Sequence, residues 1–140
     1  MKSVAAEIAI AAPPETVWSV LVDTARWPNF DPFCDRIEGS IALGGTVKAF
    51  TKLAHGRAFP VKVAVLDQPK LMIWRGGMPL GLFVGVRTYA ITPEGSGSRF
   101  AMREEFSGPM LGLIEKSLPD MTEPFAAFCA GLKASAEAKR

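Results

Sequence analysis

The last thirty residues of the chain carry the pattern that most restricts its fold. Between Pro109 and Lys139, large apolar side chains recur at steps of three and four, namely Leu111, Ile114, Leu118, Met121, Phe125, Phe128 and Leu132. That spacing places them on one stripe of an α-helix. Pro119 suits a first helical position, whereas Pro124 removes a backbone hydrogen bond and predicts a bend. We therefore expect a kinked or two-piece helix whose bulky stripe packs against a wide, concave partner.

The preceding part of the chain supplies such a partner, because much of it shows the alternation and turn residues of short strands. A first strand is predicted at 4–11, then a helix from the prolines at 13–14 to about Asp23, and a short second helix with an ordered loop over 24–33. Six further strands are predicted at 36–41, 46–53, 57–66, 71–75, 82–92 and 98–106, with a turn at 54–56. This order predicts an α+β fold with an antiparallel sheet of about seven strands.

Length and composition narrow the classes of protein that fit. A chain of 140 residues is most simply one domain, 1–140, large enough to bury a core. With 49% hydrophobic and 21% charged residues it is not expected to be disordered. The net charge of +2, without a long basic run, argues against nucleic-acid binding.

No apolar run approaches the roughly 20 residues that a transmembrane helix needs, and no signal-peptide pattern precedes Glu7. We therefore expect a cytoplasmic protein without a transmembrane segment. Cys34 and Cys129 are far apart and in no paired motif. Two buried thiols are the simpler expectation, and a disulfide is the alternative.

Motifs for cofactor or metal chemistry are scarce. The single histidine, His55, lies in a predicted turn with no second histidine or spaced cysteine to share a metal. Gly76-Gly77 does not connect a strand to a helix as phosphate-binding loops do. No nucleophile motif is present. We expect no metal site and no cofactor.

Alternation along the last two strands sends polar residues to the same face as apolar ones. Arg87 and Tyr89 share a face with Phe83, and Glu104 shares a face with Met102 on the next strand. A buried charge needs a partner, and an arginine with a carboxylate is a suitable pair. Two interpretations stay open. Arg87 and Glu104 pair with each other or lie near the cavity mouth without chemistry, or they orient a ligand.

In an enzyme, the three polar residues are the catalytic candidates. Glu104 would act as acid or base, Tyr89 as hydrogen-bond donor, and Arg87 as a positioning charge.

Apolar residues complete the predicted ligand site. Met72 and Trp74 alternate together and are placed inward with Phe83, although each is also well suited to plain core packing. A methionine-rich wall that includes Met102 suits an adaptable pocket. The predicted lid or entrance consists of Phe30, Phe33, Met110, Leu113 and Ile114. Trp18 and Trp27 are assigned to packing of the N-terminal helices.

Several segments together resemble the SRPBCC superfamily, also called START-like or helix-grip. They are residues 1–11, 12–18, 21–23, 27–33, 37–39 with Gly44, and 97–108. The similarity covers nearly the whole chain, and it is specific for fold rather than activity. The chain departs from many relatives at Phe30 and Asp31, where they carry tryptophan and asparagine, and at Ser98, where they carry threonine. The resemblance implies a sheet curled around a long C-terminal helix, with a cavity between them.

The resemblance also implies three functions. The preferred one is binding of a small hydrophobic ligand, aromatic, polyketide-like or lipid, within the cavity. The alternatives are a polyketide cyclase/dehydrase-type enzyme and a protein-interaction module of the quinone-carrier or chaperone-regulator type. A monomer or weak homodimer is expected.

Overall fold

The computed structural model describes residues 2–52 and 58–139. These residues form a seven-stranded antiparallel sheet in the order β1-β7-β6-β5-β4-β3-β2. The strands are β1 Lys2–Ile10, β2 Cys34–Glu38, β3 Thr46–Thr51, β4 Ala58–Asp67, β5 Leu71–Gly77, β6 Val84–Glu94 and β7 Gly97–Ser107. The α-helices are α1 Pro14–Leu21, α2 Leu111–Ile114 and α3 Thr122–Lys139, with 3₁₀ turns at Thr24–Asn29, Pro79–Gly81 and Glu115–Ser117. The predicted turn at 54–56, including His55, lies outside the described residues.

The sheet curls around α3, which confirms the predicted α+β helix-grip fold. The residues that α3 buries are spaced by three and four, namely Phe125, Phe128, Cys129, Leu132 and Ala136. Strand alternation is visible in β7, where Ser98, Phe100 and Met102 are buried while their neighbours are not. The same helical and strand periods that the sequence shows therefore build the two sides of one core.

The β6–β7 hairpin is tighter than expected. The sequence predicts a connection over 93–97, but β6 continues through Pro93 to Glu94, and only two residues form the turn. Gly95 opens that turn with a φ of +60°, which a glycine adopts without strain. Pro93 is tolerated because it lies near the end of the ladder, where one missing donor costs little.

The C-terminal segment is two-piece, as expected, but neither proline acts as predicted. Pro119 is not a first helical residue, because α3 begins three residues later, at Thr122. Leu118 before it is extended at ψ 134°, as steric contact with a proline ring favours. Residues 118–121 form a non-helical linker between the 3₁₀ turn and α3. Pro124 does not bend the helix, because it lies in the first turn of α3, where its missing N–H breaks no intrahelical bond.

Close approach of α3 to the N-terminal loop depends on Gly131. A Cβ built on this residue would lie 2.2 Å from the Phe30 carbonyl oxygen and 2.7 Å from the Phe30 ring. Only a residue without a side chain fits such a distance. One turn earlier, Phe128 packs edge-on against Phe30 at 5.4 Å between ring centroids, so the helix and loop are fixed together.

Candidate functional site

One row of inward-facing residues crosses the sheet from edge to centre. Strand pairing aligns Val4 with Glu104, Glu104 with Arg87, Arg87 with Trp74, and Trp74 with Val63. The next row includes Met102 opposite Tyr89 and Tyr89 opposite Met72, and all three are buried. The charged pair therefore lies one row from the centre of the apolar core.

Arg87 and Glu104 form an ion pair with 2.6 Å between Nη2 and Oε1. Their side chains retain 25% and 14% of their exposure, so the pair is largely removed from water. The guanidinium also lies 5.0 Å from the centre of the Phe125 ring. Burial opposes the charged form, but Tyr89 and Glu104 outweigh it and raise the pKa of Arg87, so the guanidinium stays charged. The pairing that the first interpretation expected is present.

A cavity of about 70 Å³ opens between this row and α3. It is lined by Trp27, Asp31, Phe33, Cys34, Ile37, Ala49, Thr51, Trp74, Arg87, Met102, Met121, Pro124, Phe125 and Phe128. Ligand pockets usually measure about 300–1,000 Å³, so this space alone holds a head group rather than a whole drug-sized molecule.

Aromatic rings occupy the rest of the interior. Trp27 stacks on Trp74 at 5.4 Å and meets Phe128 edge-on at 4.8 Å. Tyr89 lies 5.3 Å from Trp74 and 6.3 Å from Phe100. Such ring pairs are stabilising beyond the area they bury, so this part of the core resists opening.

A second and larger space adjoins the β1 edge of the sheet. It measures about 380 Å³ and is lined by Lys2, Ser3, Val4, Phe106, Leu118, Pro119, Asp120, Met121 and Thr122. Met121, in the non-helical linker, lines both spaces. The half-buried Met121 side chain is therefore shared by the inner cavity and the outer groove.

Two titratable groups, one in the N-terminal loop and one at the start of β2, line the inner cavity. The Asp31 carboxylate accepts a hydrogen bond from the Phe33 backbone N–H at 3.0 Å. Burial raises the pKa of Asp31, although that hydrogen bond and the charges of Arg87 and Lys52 oppose the increase. Burial likewise raises the pKa of the Cys34 thiol to about 11, so it is protonated at neutral pH. Cys34 and Cys129 are both buried free thiols, as expected.

Three buried donors near the cavity have no hydrogen-bond partner among the described residues. They are the indole N–H of Trp74, the Nε–H of Arg87 and the hydroxyl of Tyr89. Burial raises the pKa of Tyr89 to about 12, so the hydroxyl keeps its proton at neutral pH. Unpaired buried donors are uncommon because each costs free energy. Trp74 and Arg87 line the cavity, so their free donors mark its polar part, whereas Tyr89 lies behind the lining and interacts with Arg87.

The structure separates the predicted ligand-binding residues into two groups. Four line the inner cavity, namely Phe33, Trp74, Arg87 and Met102. Seven lie around it, namely Phe30, Met72, Phe83, Tyr89, Glu104, Met110 and Ile114.

The members of the second group have identifiable surroundings. Met72 and Tyr89 are fully buried in the core, and Phe30 packs on Phe128. Phe83 stacks on Phe106 at 5.7 Å, at the wall of the outer groove. Met110 and Ile114 are half-buried in α2 and its cap.

Sequence reasoning missed several cavity residues. Trp27, assigned to packing of the two N-terminal helices, does contact the first of them, where its indole N–H donates to the Leu21 carbonyl at 3.0 Å. It also stacks on Trp74 and lines the cavity, which the assignment did not include. Asp31 follows the 3₁₀ turn, where no helical or strand period predicts direction. Cys34 begins β2, two residues before the strand predicted at 36–41. Phe125 and Phe128 were placed on the correct helical stripe, and that stripe was the signal that identified them as inward.

Exposed apolar side chains lie in the 3₁₀ turn at Pro79–Gly81 and in α2. Leu80 is 97% exposed at a φ of +60°, and Leu113 of α2 is 78% exposed. The Met110 N–H donates to the Leu82 carbonyl at 2.8 Å, so this 3₁₀ turn and α2 are neighbours. Among residues 2–52 and 58–139, no helix has the length and apolarity to cross a membrane.

Solved structures share this architecture along almost their whole length. A START superfamily protein from Mycobacterium smegmatis matches with a TM-score of 0.71 at 14% identity, covering 99% of both chains. A protein from Mesorhizobium loti matches with a TM-score of 0.74 at 16% identity, again covering 99% of both chains. A Thermus thermophilus protein reaches 21% identity with a TM-score of 0.71 and 99% coverage of each chain. At these identities the likeness concerns the fold.

No curated protein matches the sequence. The family model described as polyketide cyclase / dehydrase and lipid transport matches residues 1–137. That match agrees with the START-like architecture and with the resemblance found in the sequence. The chain belongs to the polyketide cyclase/dehydrase and lipid transport family.

Proposed function

We propose that this protein binds a small hydrophobic ligand between its sheet and its C-terminal helix. The observation that carries the proposal is a largely apolar inner cavity with the paired Arg87 in its wall, next to a larger groove that shares the Met121 side chain with it. The inner space accepts a head group, and displacement of one flexible thioether side chain would add room for the body. Together the two spaces fall within the size range of ligand pockets.

The affinity of such a site would come mainly from apolar burial. Each Å² removed from water contributes about 25 cal/mol before the costs of association. Arg87, Tyr89 and Glu104 would then orient the head, while Phe33, Trp74, Met102 and the residues around them contact the apolar part. We further propose that the chain is a single domain that acts in the cytoplasm as a monomer or weak homodimer.

The position of Met121 gives a direct test. Wild-type protein should take up the neutral apolar dye N-phenyl-1-naphthylamine with a rise in dye fluorescence. Met121→Ala should bind it more tightly, and Met121→Trp should weaken binding roughly fivefold or more by filling the junction. Leu113→Trp is the matched control on an exposed position and should leave binding unchanged.

If the dye responds to Leu113→Trp and not to either Met121 variant, then it binds the exposed patch and the proposal fails. Native mass spectrometry of freshly purified protein, followed by solvent extraction, would identify a molecule that copurifies.

An enzyme of the cyclase/dehydrase type is the second candidate, favoured by one observation. Asp31 lines the cavity with a raised pKa, whereas Glu104 is bonded to Arg87 and does not line it. In an enzyme Asp31 is therefore the better proton acceptor or donor. Asp31→Asn would abolish turnover of an added polyketone without loss of binding, whereas loss of binding alone would exclude this role.

A further inference from the structure

We propose that the ligand of this site carries an uncharged carbonyl oxygen as its head group, rather than a carboxylate. This inference rests on the proposed function and adds the chemical class of the head. It follows from two independent observations, the donors left free at the cavity and the balance of charges around it.

The free polar groups are all able to donate. The Trp74 indole N–H and the Arg87 Nε–H are donor-only groups without a partner among the described residues, and both residues line the cavity. Trp74 and Arg87 are direct partners on adjacent strands. A carbonyl oxygen has two lone pairs and no hydrogen, so it can accept from both donors at once.

The charges at the cavity leave no place for a further anion. The Arg87 guanidinium is bonded to Glu104 at 2.6 Å. Among the described residues that line the cavity, the other charged side chain is the Asp31 carboxylate. The lining therefore offers no unpaired cation to a ligand carboxylate, which would also lie beside a second acid. Desolvating an unmatched charge is far more costly than desolvating a ketone.

The experiment compares three probes with one apolar body and different heads. They are 2-acetylnaphthalene with a ketone, 2-ethylnaphthalene with no acceptor, and 2-naphthoate with a carboxylate. Each is measured by displacement of N-phenyl-1-naphthylamine from the full-length protein. We expect the ketone to bind roughly tenfold more tightly than the hydrocarbon, since hydrogen bonds to free buried donors add about that factor. The carboxylate should bind more weakly than the ketone.

Trp74→Phe tests the donors directly, because it removes an unpartnered N–H from a residue that lines the cavity and keeps an aromatic ring there. Its preference for the ketone over the hydrocarbon should fall severalfold. The ratio of the two affinities cancels any loss of apolar contact that both probes share. An unchanged ratio would overturn the carbonyl inference.

The outcomes separate the two proposals. Equal binding of the ketone and the hydrocarbon would overturn the carbonyl inference and leave the hydrophobic site intact. Tighter binding of the carboxylate would overturn it as well. If none of the three probes displaces the dye, both the carbonyl inference and the proposed function fail.

Discussion

Two neighbouring rows of the sheet, only two residues apart along each strand, have opposite characters. The row through Tyr89 is packed solid by rings from the sheet, the N-terminal loop and α3, with Phe128 at their meeting point. The row through Arg87 carries an ion pair, adjoins the cavity and runs out towards the groove at Val4. The first row stabilises the fold and the second leaves room for chemistry. Stability and binding are thus assigned to different levels of one core.

The largest expected effect is the loss of a ring from the packed row. Phe128 is 4% exposed and contacts Trp27, Phe30, Tyr89 and Phe100. Phe128→Ala should lower the free energy of unfolding by about 3–5 kcal/mol, through lost burial and the void left behind. Urea denaturation measures this change, with the exposed Leu113→Ala as control at under about 0.5 kcal/mol. A cost for Phe128→Ala below about 1 kcal/mol would contradict the claim that the packed row through Tyr89 stabilises the fold.

The second effect concerns the charged pair. Arg87→Met should cost about 2 kcal/mol, because it leaves the Glu104 carboxylate largely buried without its partner. This is below the cost of breaking a fully buried pair, since both side chains retain some exposure. The double variant Arg87→Met/Glu104→Met should recover most of the loss in urea denaturation. If the double variant is no more stable than Arg87→Met, then the cost of Arg87→Met does not come from leaving the Glu104 carboxylate without a partner.

The smallest expected effect is a pH dependence of stability that comes from Asp31 in the cavity lining. The folded-state pKa of Asp31 lies above its ordinary value of 3.8, so the native state holds the proton more tightly than the unfolded chain. Stability contributed by this group therefore falls as the pH rises from 3.8 through the folded pKa. Asp31→Asn keeps an oxygen to accept from the Phe33 N–H and removes the charge. It should stabilise the protein slightly at pH 7 and leave it unchanged near pH 3, as measured by thermal melts at both values. Equal effects at both values would contradict this account.

The periodic parts of the chain were predictable. Alternation alone placed Arg87, Tyr89 and Trp74 on one face, and helical spacing placed Phe125 and Phe128 opposite them, since both periods follow from backbone geometry. The fold class followed from the order of those elements. The Arg87–Glu104 pair was one of the arrangements that the sequence left open, because a buried charge requires a partner but the sequence does not say which.

The remaining parts depended on contacts that have no period. Asp31 and Trp27 reach the cavity by the course of a 3₁₀ turn and a loop, for which the sequence offers no repeat to read. The size of the inner cavity depends on side-chain packing rather than on residue type. Pro119 was misplaced because a proline is compatible both with a helix start and with an extended residue before it.

The glycine contact between α3 and the N-terminal loop decides which part of the molecule is adaptable. The close approach of the Gly131 backbone to the Phe30 carbonyl, together with the Phe128–Phe30 ring contact, holds α3 against the N-terminal loop. Widening of the interior is therefore expected at the linker of residues 118–121, which lies outside both helical pieces. Substitutions in those few residues could retune which molecules enter while the stabilising rings stay in place. The residues that control access to the interior are thus few and adjacent in sequence, so they can change during evolution without loss of the stabilising core.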